Sequence, residues 1–284
     1  MFHKKIKGIL QIFRPELPFA AGVCVLLGEI VALGNFPPLR EAVPGFLCGF
    51  FISGSAIVLN DYFDLEVDKV NAPYRPLPSG VVSPTEAIVL TGISTVIGLA
   101  ASFWIGPLTF IFGVAAWLIG FLYNWKFKEN GLLGNLMVAA SVAGTFLLGG
   151  VAVGEPWSPI VWCFALIGFF IDLGEEIAGD AMDMEGDKKR GSRSIAILKG
   201  RRFALGLSSL FFGLVILLSL VPALFGWLGA SYLAMISIMD VLIVVFTIRL
   251  LKSQTSAEGV RAMRGLYIGA TVGMLAFIIG QVFL

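Results

Sequence analysis

The stretch VPGFLCGFFISGSAIVLNDYFDLEVD, residues 43–68, joins a long apolar run to a dense group of carboxylates. Residues 43–59 are almost entirely apolar, and a helix needs roughly 20 such residues to cross the hydrocarbon core of a bilayer. The carboxylates follow at once, beginning with Asp61 and Asp64. We therefore predict a membrane-spanning helix over residues 43–67 whose end carries a cluster of charged groups.

The composition of the whole chain is typical of a membrane protein. Of its 284 residues, 57% are hydrophobic and only 14% are charged, and the mean hydropathy is +0.91. Soluble globular domains are far more polar. Apolar runs between breakers predict helices near residues 15–34, 43–67, 84–104, 107–125, 132–153, 157–187, 203–225, 228–250 and 262–284. We expect an all-α membrane protein of about nine transmembrane helices in one bundle around a central cavity. It forms a single domain, 1–284, with two four-helix halves, about 15–125 and 132–250, plus a last helix, 262–284.

Basic residues are segregated along this pattern of helices. If the N-terminus is cytoplasmic, every Lys and Arg except Arg40 falls in a cytoplasmic loop or at an adjoining helix end. Such a bias in short loops is the signature of the positive-inside rule. We therefore predict a multi-pass protein of the cell membrane whose acidic clusters face the cytoplasm. With a net charge of +1, no nucleic-acid partner is expected.

Two acidic clusters lie at the C-terminal ends of the second and sixth predicted helices. If each helix continues through its cluster, the acidic side chains share one face within an arc of about 80°. The first face carries Asn60, Asp64, Asp68 and Asn71, and the second carries Asp172, Glu176, Asp180, Asp183 and Asp187. Two acidic stripes are thus expected to face one another.

Carboxylates this dense need cations beside them when they lie near hydrocarbon. Oxygen ligands without His or Cys favour Mg²⁺, Mn²⁺ or Ca²⁺ over zinc, and Mg²⁺ commonly bridges carboxylates to substrate phosphates. We therefore predict a Mg²⁺ site that binds a diphosphate. The alternative is a pair of ordinary solvated helix ends. For the deeper Asp172, an internal hydrogen bond is as plausible a role as metal ligation, and for the lone Asp240 we favour a structural polar contact.

Cationic side chains follow both clusters and are candidates for diphosphate binding. Lys126 and Lys128 come directly after Tyr123-Asn124-Trp125, and Arg14 opens the first predicted helix. The positive-inside rule accounts for many such residues without a functional role. We assign function most firmly to Arg75 and Arg193, which lie beside the acidic helices.

At these residues the sequence resembles the UbiA superfamily of intramembrane prenyltransferases. Its first signature, NDxxDxxxD, is matched at residues 60–68, and its second, DxxxD, at Asp183 and Asp187. The nine-helix plan also agrees, so the resemblance covers essentially the whole chain. The style of both motifs is most similar to that of archaeal digeranylgeranylglyceryl phosphate synthases. One departure is Ala178-Gly179, where that subgroup commonly has a Lys.

Residues and resemblance together give a predicted site. The catalytic residues are Asp64, Asp68, Asp183 and Asp187. The metal ligands are Asn60, Asp64, Asp68, Asp180, Asp183 and Asp187. The substrate-binding residues are Arg14, Arg75, Tyr123, Lys126, Lys128, Glu176, Lys189 and Arg193.

The resemblance implies transfer of a prenyl group from an isoprenyl diphosphate to a lipophilic acceptor within the membrane lipid. The subgroup implies a geranylgeranyl donor and geranylgeranylglyceryl phosphate as the acceptor, in archaeal ether-lipid synthesis. Mg²⁺ would neutralise the leaving diphosphate. An aromatic acceptor, such as 4-hydroxybenzoate or a quinone precursor, is the first alternative. An alternative of another class is an ion-coupled transporter, but transporter sites usually lie near the midplane on broken helices.

The segregation of basic residues generates a test of topology. Because nine is odd, the two termini are expected on opposite sides of the membrane. In intact cells, a membrane-impermeant thiol reagent should label a cysteine introduced near Leu284 but not one introduced near His3. Labelling of both positions would contradict the helix count.

Overall fold

The computed structural model describes the backbone of residues 2–283 and the side chains of residues 4–188 and 191–274. All regular secondary structure in this part of the chain is helical. Its long helices are α2 (Glu16–Leu33), α3 (Leu39–Phe63), α5 (Pro84–Ile105), α6 (Pro107–Leu122), α7 (Leu132–Ala152), α8 (Pro159–Met182), α11 (Arg201–Leu224), α12 (Ala230–Lys252) and α13 (Ser256–Phe283). The short ones are α1 (Phe2–Phe13), α4 (Leu65–Asn71), α9 (Met184–Arg190) and α10 (Ile195–Lys199).

The long helices follow one another around the bundle. Helix α2 packs against α3 and α7, α3 packs against α5, and α7 packs against α8. Helix α8 packs against α11, α11 against α12, and α12 against α13, which also reaches α8 and α2. The last helix thus returns to the first long one, and space for a site lies inside this circuit.

The outer surface is apolar, as expected for helices in lipid. Large hydrophobic side chains such as Val96, Phe103, Leu217 and Val241 are each more than half exposed. Within the described residues, seven helices are long and apolar enough to cross a membrane. Helix α8 carries Asp172, Glu175 and Glu176 within its span, which makes it too polar for that count. The predicted all-α membrane fold is confirmed, and the nine spans stay a prediction.

The acidic ends of the second and sixth predicted helices differ from expectation in one respect. Neither helix runs straight through its cluster, so the predictions of continuous helices over 43–67 and 157–187 were wrong. Helix α3 ends at Phe63 and α4 begins at Leu65, with Asp64 between them. Helix α8 ends at Met182 and α9 begins at Met184, with Asp183 between them. Each break redirects the acidic side chains beyond it.

An N-terminal helix was missed by the sequence analysis. Helix α1 is amphipathic and packs Ile12 and Phe13 into a small core with Val58 and Val82. It is separated from α2 by Arg14, whose φ of +47° is rare for a residue other than glycine. The chain therefore turns sharply at Arg14.

Glycines set the distance between α2 and α7. A Cβ placed on Gly28 would lie 2.2 Å from the carbonyl oxygen of Phe146, and one on Gly149 would lie 2.2 Å from that of Val25. The two backbones are therefore in direct contact, as small residues allow in membrane helices. Gly144, on the same helix α7, has no neighbour within 4 Å of its Cβ position.

Because of this contact, replacing glycine by alanine should affect stability differently at two positions of α7. Gly149→Ala should lower the stability of the protein by about 1–3 kcal/mol or more, because α2 and α7 must separate. Gly144→Ala should leave stability unchanged or slightly raise it, since alanine favours the helix. Thermal unfolding of both variants in the same detergent measures the difference. Equal melting temperatures would show that the α2–α7 contact does not limit stability.

Candidate active site

A polar cavity of about 320 Å³ lies at the ends of α3 and α8, beside the turn that follows α6. Both acidic clusters contribute to its wall. Its polar and charged lining residues include Asp64, Tyr123, Asn124, Lys126, Lys128, Glu129, Asn135, Glu176, Asp180, Asp187 and Ser192. The two acidic clusters, far apart in sequence, therefore meet at one site.

Asp64 lies at the break between α3 and α4 and receives a cation from across the cavity. Lys128 donates to Asp64 Oδ2. The side-chain amide of Asn60 lies 3.2 Å from the same oxygen and is hydrogen-bonded to Asn124 at 2.9 Å. Asn124 in turn donates to the backbone oxygen of Ala56 at 3.0 Å. This network fixes the first acidic side of the cavity relative to the turn after α6.

The other carboxylates of the first cluster have arginine partners. Arg14 donates to the buried Asp61 at 2.6 Å, and Arg75 donates to the buried Asp68 at 2.7 Å. Partial burial acts to lower the pKa of Arg75, but the hydrogen bond with Asp68 and the charges of Asp68 and Asp61 outweigh it and raise that pKa. Arg75 therefore keeps its charge. Both pairs are partly buried, and losing either arginine would leave a buried carboxylate without its cation, so these pairs hold the cluster together.

The second cluster forms the opposite wall. Asn135 of α7 donates to Asp180 Oδ2 at 2.9 Å, and Glu176 lies one helical turn deeper on α8. The Tyr123 hydroxyl experiences the charges of Glu176, Asp180 and Asp64 together. Tyr123 is thus placed between the two acidic walls, where a ligand that binds both walls would contact it.

Several predicted site residues do not line this cavity. Asp68 pairs with Arg75 and is not part of the cavity wall. The Asp183 carboxylate lies over the start of α9, 2.5 Å from the Cβ position of Gly186. The single-face stripes were therefore wrong for these two carboxylates.

The predicted basic residues divide in the same way. Lys126 and Lys128 line the cavity, whereas the guanidinium groups of Arg14 and Arg75 bind acidic partners outside its wall. Arg193 contacts a residue of the cavity wall through its backbone, since its N–H donates to the Glu129 carbonyl at 3.1 Å. The side chain of Lys189 lies outside the described residues.

Two asparagines at the site were not singled out by the sequence analysis. Asn124 lies in a turn of π-helix, Tyr123–Phe127, and is buried, as is Asn135 near the start of α7. A buried polar side chain in a membrane protein is costly unless it is hydrogen-bonded. The sequence signal that could have identified these two asparagines is their position beside apolar runs.

A second, smaller cavity of about 180 Å³ lies deeper in the bundle. It is enclosed by α2, α7, α8, α12 and α13, and its apolar lining includes Leu27, Val142, Phe146, Phe164, Ile167, Ile171, Ile236 and Met239. Asp172 and Glu175 of α8 are the acidic residues in this wall. Another intramembrane carboxylate, Asp240 of α12, accepts a hydrogen bond from Ser219 at 2.8 Å, the kind of structural contact that we favoured.

The donor set of the polar cavity suits a hard divalent cation. Asp64 offers oxygens on one wall, with the Asn60 amide beside it, and Asp180 and Asp187 offer oxygens on the other. Oxygen ligands of this kind fit Mg²⁺ together with a substrate phosphate. Within the described residues, no three His, Cys, Asp or Glu side chains are already grouped closely enough to hold a metal. A phosphate that bridges the two walls would complete such a site.

Comparison with known proteins agrees with this geometry. The model of the UbiA prenyltransferase family matches residues 21–278. The chain is 33% identical over 277 residues to the digeranylgeranylglyceryl phosphate synthase of Thermococcus kodakarensis, covering 98% of this chain and 99% of that protein. It is 32% identical to the synthase of the same name from Methanocaldococcus jannaschii, covering 99% of each.

Solved structures show the same fold. A structure of digeranylgeranylglyceryl phosphate synthase matches with a TM-score of 0.81 at 31% identity and covers 99% of both chains. A UbiA homolog from Archaeoglobus fulgidus bound to GPP and Mg²⁺ matches with a TM-score of 0.67 at 19% identity, covering 95% of this chain and 99% of that one. The sequence match over nearly the whole chain, the fold and the two facing acidic clusters lead to one conclusion: this chain belongs to the UbiA prenyltransferase family.

Proposed function

We propose that this protein transfers a geranylgeranyl group from geranylgeranyl diphosphate to geranylgeranylglyceryl phosphate in archaeal ether-lipid synthesis. The observation that carries the proposal is the pairing of two cavities along α8. A polar, cation-lined cavity suited to a diphosphate lies about one helical turn from an apolar cavity suited to a lipid chain. The names of the relatives at about one-third identity support this donor and acceptor over an aromatic acid.

The acceptor carries its own phosphate, so the site needs more positive charge than a diphosphate alone requires. Lys126 and Lys128 supply charge at the cavity wall. The basic run of residues 188–193 follows the second acidic cluster directly, and Ser192 within it lines the cavity. A lysine ammonium binds phosphate as a compact point charge. These cations at and beside the cavity favour the phosphate-bearing acceptor.

Mg²⁺ would be held by Asn60, Asp64, Asp180 and Asp187, and when bound it would neutralise charge on the leaving diphosphate. The chain's own residues do the rest. Lys128 reaches Asp64 and the cavity, where it is placed to bind a phosphate oxygen. The apolar walls keep water from the allylic carbon, which as a cation would otherwise react with it.

We also propose that the polar cavity opens to the cytoplasm. Its cations, Lys126 and Lys128, and the neighbouring basic run belong to the loops that the positive-inside rule places there. Water-soluble diphosphate would leave on this side, and the lipid product would remain in the bilayer.

A first prediction tests whether Asp64 binds Mg²⁺ or merely adds negative charge near the site. Asp64→Asn should lower turnover by about 100-fold or more and raise the Mg²⁺ concentration needed for half-maximal rate, because a ligand at the cavity wall is lost. Glu66→Gln is the matched control, since Glu66 is exposed and pairs only with Lys69 in the structure. Initial rates over a Mg²⁺ titration measure both. An unchanged Mg²⁺ dependence in Asp64→Asn would remove Asp64 from the proposed ligands.

A second prediction concerns the acceptor. With geranylgeranyl diphosphate and Mg²⁺, the purified protein should prenylate geranylgeranylglyceryl phosphate. Lys126→Gln should raise the KM for this acceptor about 10-fold, the loss expected for a charged hydrogen bond. Lys199→Gln, in α10 and outside the cavity, should not change it. Mass spectrometry of the lipid products gives the rates. Prenylation of 4-hydroxybenzoate with the phospholipid left untouched would contradict the acceptor and leave the family assignment intact.

A further inference from the structure

Asp172 occupies a position that neither metal ligation nor packing explains. It lies on α8, two helical turns from Asp180 and one from Glu176, so it is about 6 Å deeper than Glu176 along the helix axis. Glu176 lines the polar cavity, whereas Asp172 lines the apolar cavity. Asp172 therefore marks the point where the two cavities approach each other.

The surroundings of Asp172 leave a hydrogen-bond acceptor unused. Its Oδ2 atom is buried and has no hydrogen-bond partner within the described part of the chain. The same holds for Oε1 of Glu175, whose carboxyl lies near the Tyr267 hydroxyl of α13. Buried polar atoms are rarely left without a partner, and an exception calls for a ligand or another function. Both unused oxygens belong to residues of the apolar cavity.

Among the described residues, no cationic side chain lines this apolar cavity. Asp61, Asp64 and Asp68 each have an Arg or Lys partner, whereas the other titratable groups near Asp172 are Glu175, Glu176, Tyr123, Tyr267 and Cys24. A carboxylate in apolar surroundings without a cation interacts favourably with a hydroxyl donor and with its proton. Asp172 thus suits a ligand that combines an apolar chain with a hydroxyl group.

We propose that Asp172 is the catalytic residue that accepts the proton of the attacking acceptor hydroxyl. The proposal rests on the proposed prenyl transfer. In the step, the hydroxyl oxygen forms a bond to C1 of the prenyl donor. The bond from C1 to the diphosphate oxygen breaks, and its electron pair leaves with the diphosphate. The hydroxyl proton moves to the Asp172 carboxylate.

The neighbouring carboxyl groups fit this role less well. Glu176 lies in the polar cavity among the cations and the other acidic groups, where the diphosphate is expected to bind. Glu175 lies near the Tyr267 hydroxyl, a competing donor for its carboxyl. Asp172 combines an unused buried oxygen with a position one helical turn deeper than Glu176, beyond the level at which the diphosphate is expected to bind.

The test compares Asp172→Asn with Asp240→Asn, another intramembrane carboxylate, which lines neither of the two cavities. Asp172→Asn should lower kcat for lipid prenylation about 100-fold or more, the usual contribution of a general base, with the acceptor KM changed by less than about threefold. Its affinity for the unreactive geranylgeranyl thiodiphosphate with Mg²⁺ should equal that of the wild type. Asp240→Asn should retain its kcat. In Asp172→Ala, added formate should restore turnover, because a small carboxylate fits the space that the side chain leaves.

The outcomes distinguish a failure of the Asp172 role from a failure of the proposed function. Asp172→Asn turnover within threefold of the wild type, or a loss of thiodiphosphate affinity that parallels the loss of turnover, would overturn the role of Asp172. If Asp172→Asn does not fold, a folded Asp172→Ala that formate fails to rescue would overturn it as well. If the wild type prenylates a different hydroxyl acceptor, the proposed function fails, and the same comparison on that acceptor decides the role of Asp172.

Discussion

The site depends on the need to balance carboxylate charge at the edge of a low-dielectric layer. Near hydrocarbon, an isolated carboxylate is costly to keep ionised unless a cation or several hydrogen bonds stabilise it. The first acidic cluster meets this need with three separate partners: Arg14 for Asp61, Lys128 for Asp64 and Arg75 for Asp68. Each partner comes from a different segment, so the ion pairs also tie the N-terminal turn, the loop after α4 and the turn after α6 to the end of α3.

Both acidic clusters share one feature of the local backbone. A long helix stops at an aspartate, Asp64 or Asp183, and a seven-residue helix follows. The short helices carry further carboxylates. Of these, Asp187 lines the cavity, while Asp68 pairs with Arg75. The acidic side chains thus divide into those that face a ligand and those that hold the scaffold.

Two cavities of opposite character lie along α8. The residues Asp172, Glu176 and Asp180 follow at intervals of one turn, so one helix face passes from an apolar enclosure to a cation-lined one. A prenyl diphosphate has the same two-part character, with an apolar chain joined to a multiply charged head. The glycine contact between α2 and α7 brings together two of the helices that enclose the apolar cavity. The close packing of their backbones therefore helps to set the shape of the lipid site.

The sequence alone determined the class of fold, the helix positions to within a few residues and the residue types of the site. Hydrophobic length and loop charge act locally, so they can be interpreted without coordinates. It also predicted that Asp64, Asp180 and Asp187 would share a site with Lys128, and these side chains do line one cavity. Whether they ligate Mg²⁺ stays a prediction.

Only the tertiary structure decided which carboxylates face the ligand and which pair with the protein's own cations. Helical periodicity placed Asp68 and Asp183 on the same faces as Asp64 and Asp180, but in the fold Asp68 pairs with Arg75, and neither Asp68 nor Asp183 lines the cavity. The partners of Asp61, Asp68 and Asn60 lie on other segments, and no local pattern specifies such pairings. Charge neutralisation inside a membrane site is a long-range requirement, so a sequence can show that counter-charges are needed while the fold alone determines which residues supply them.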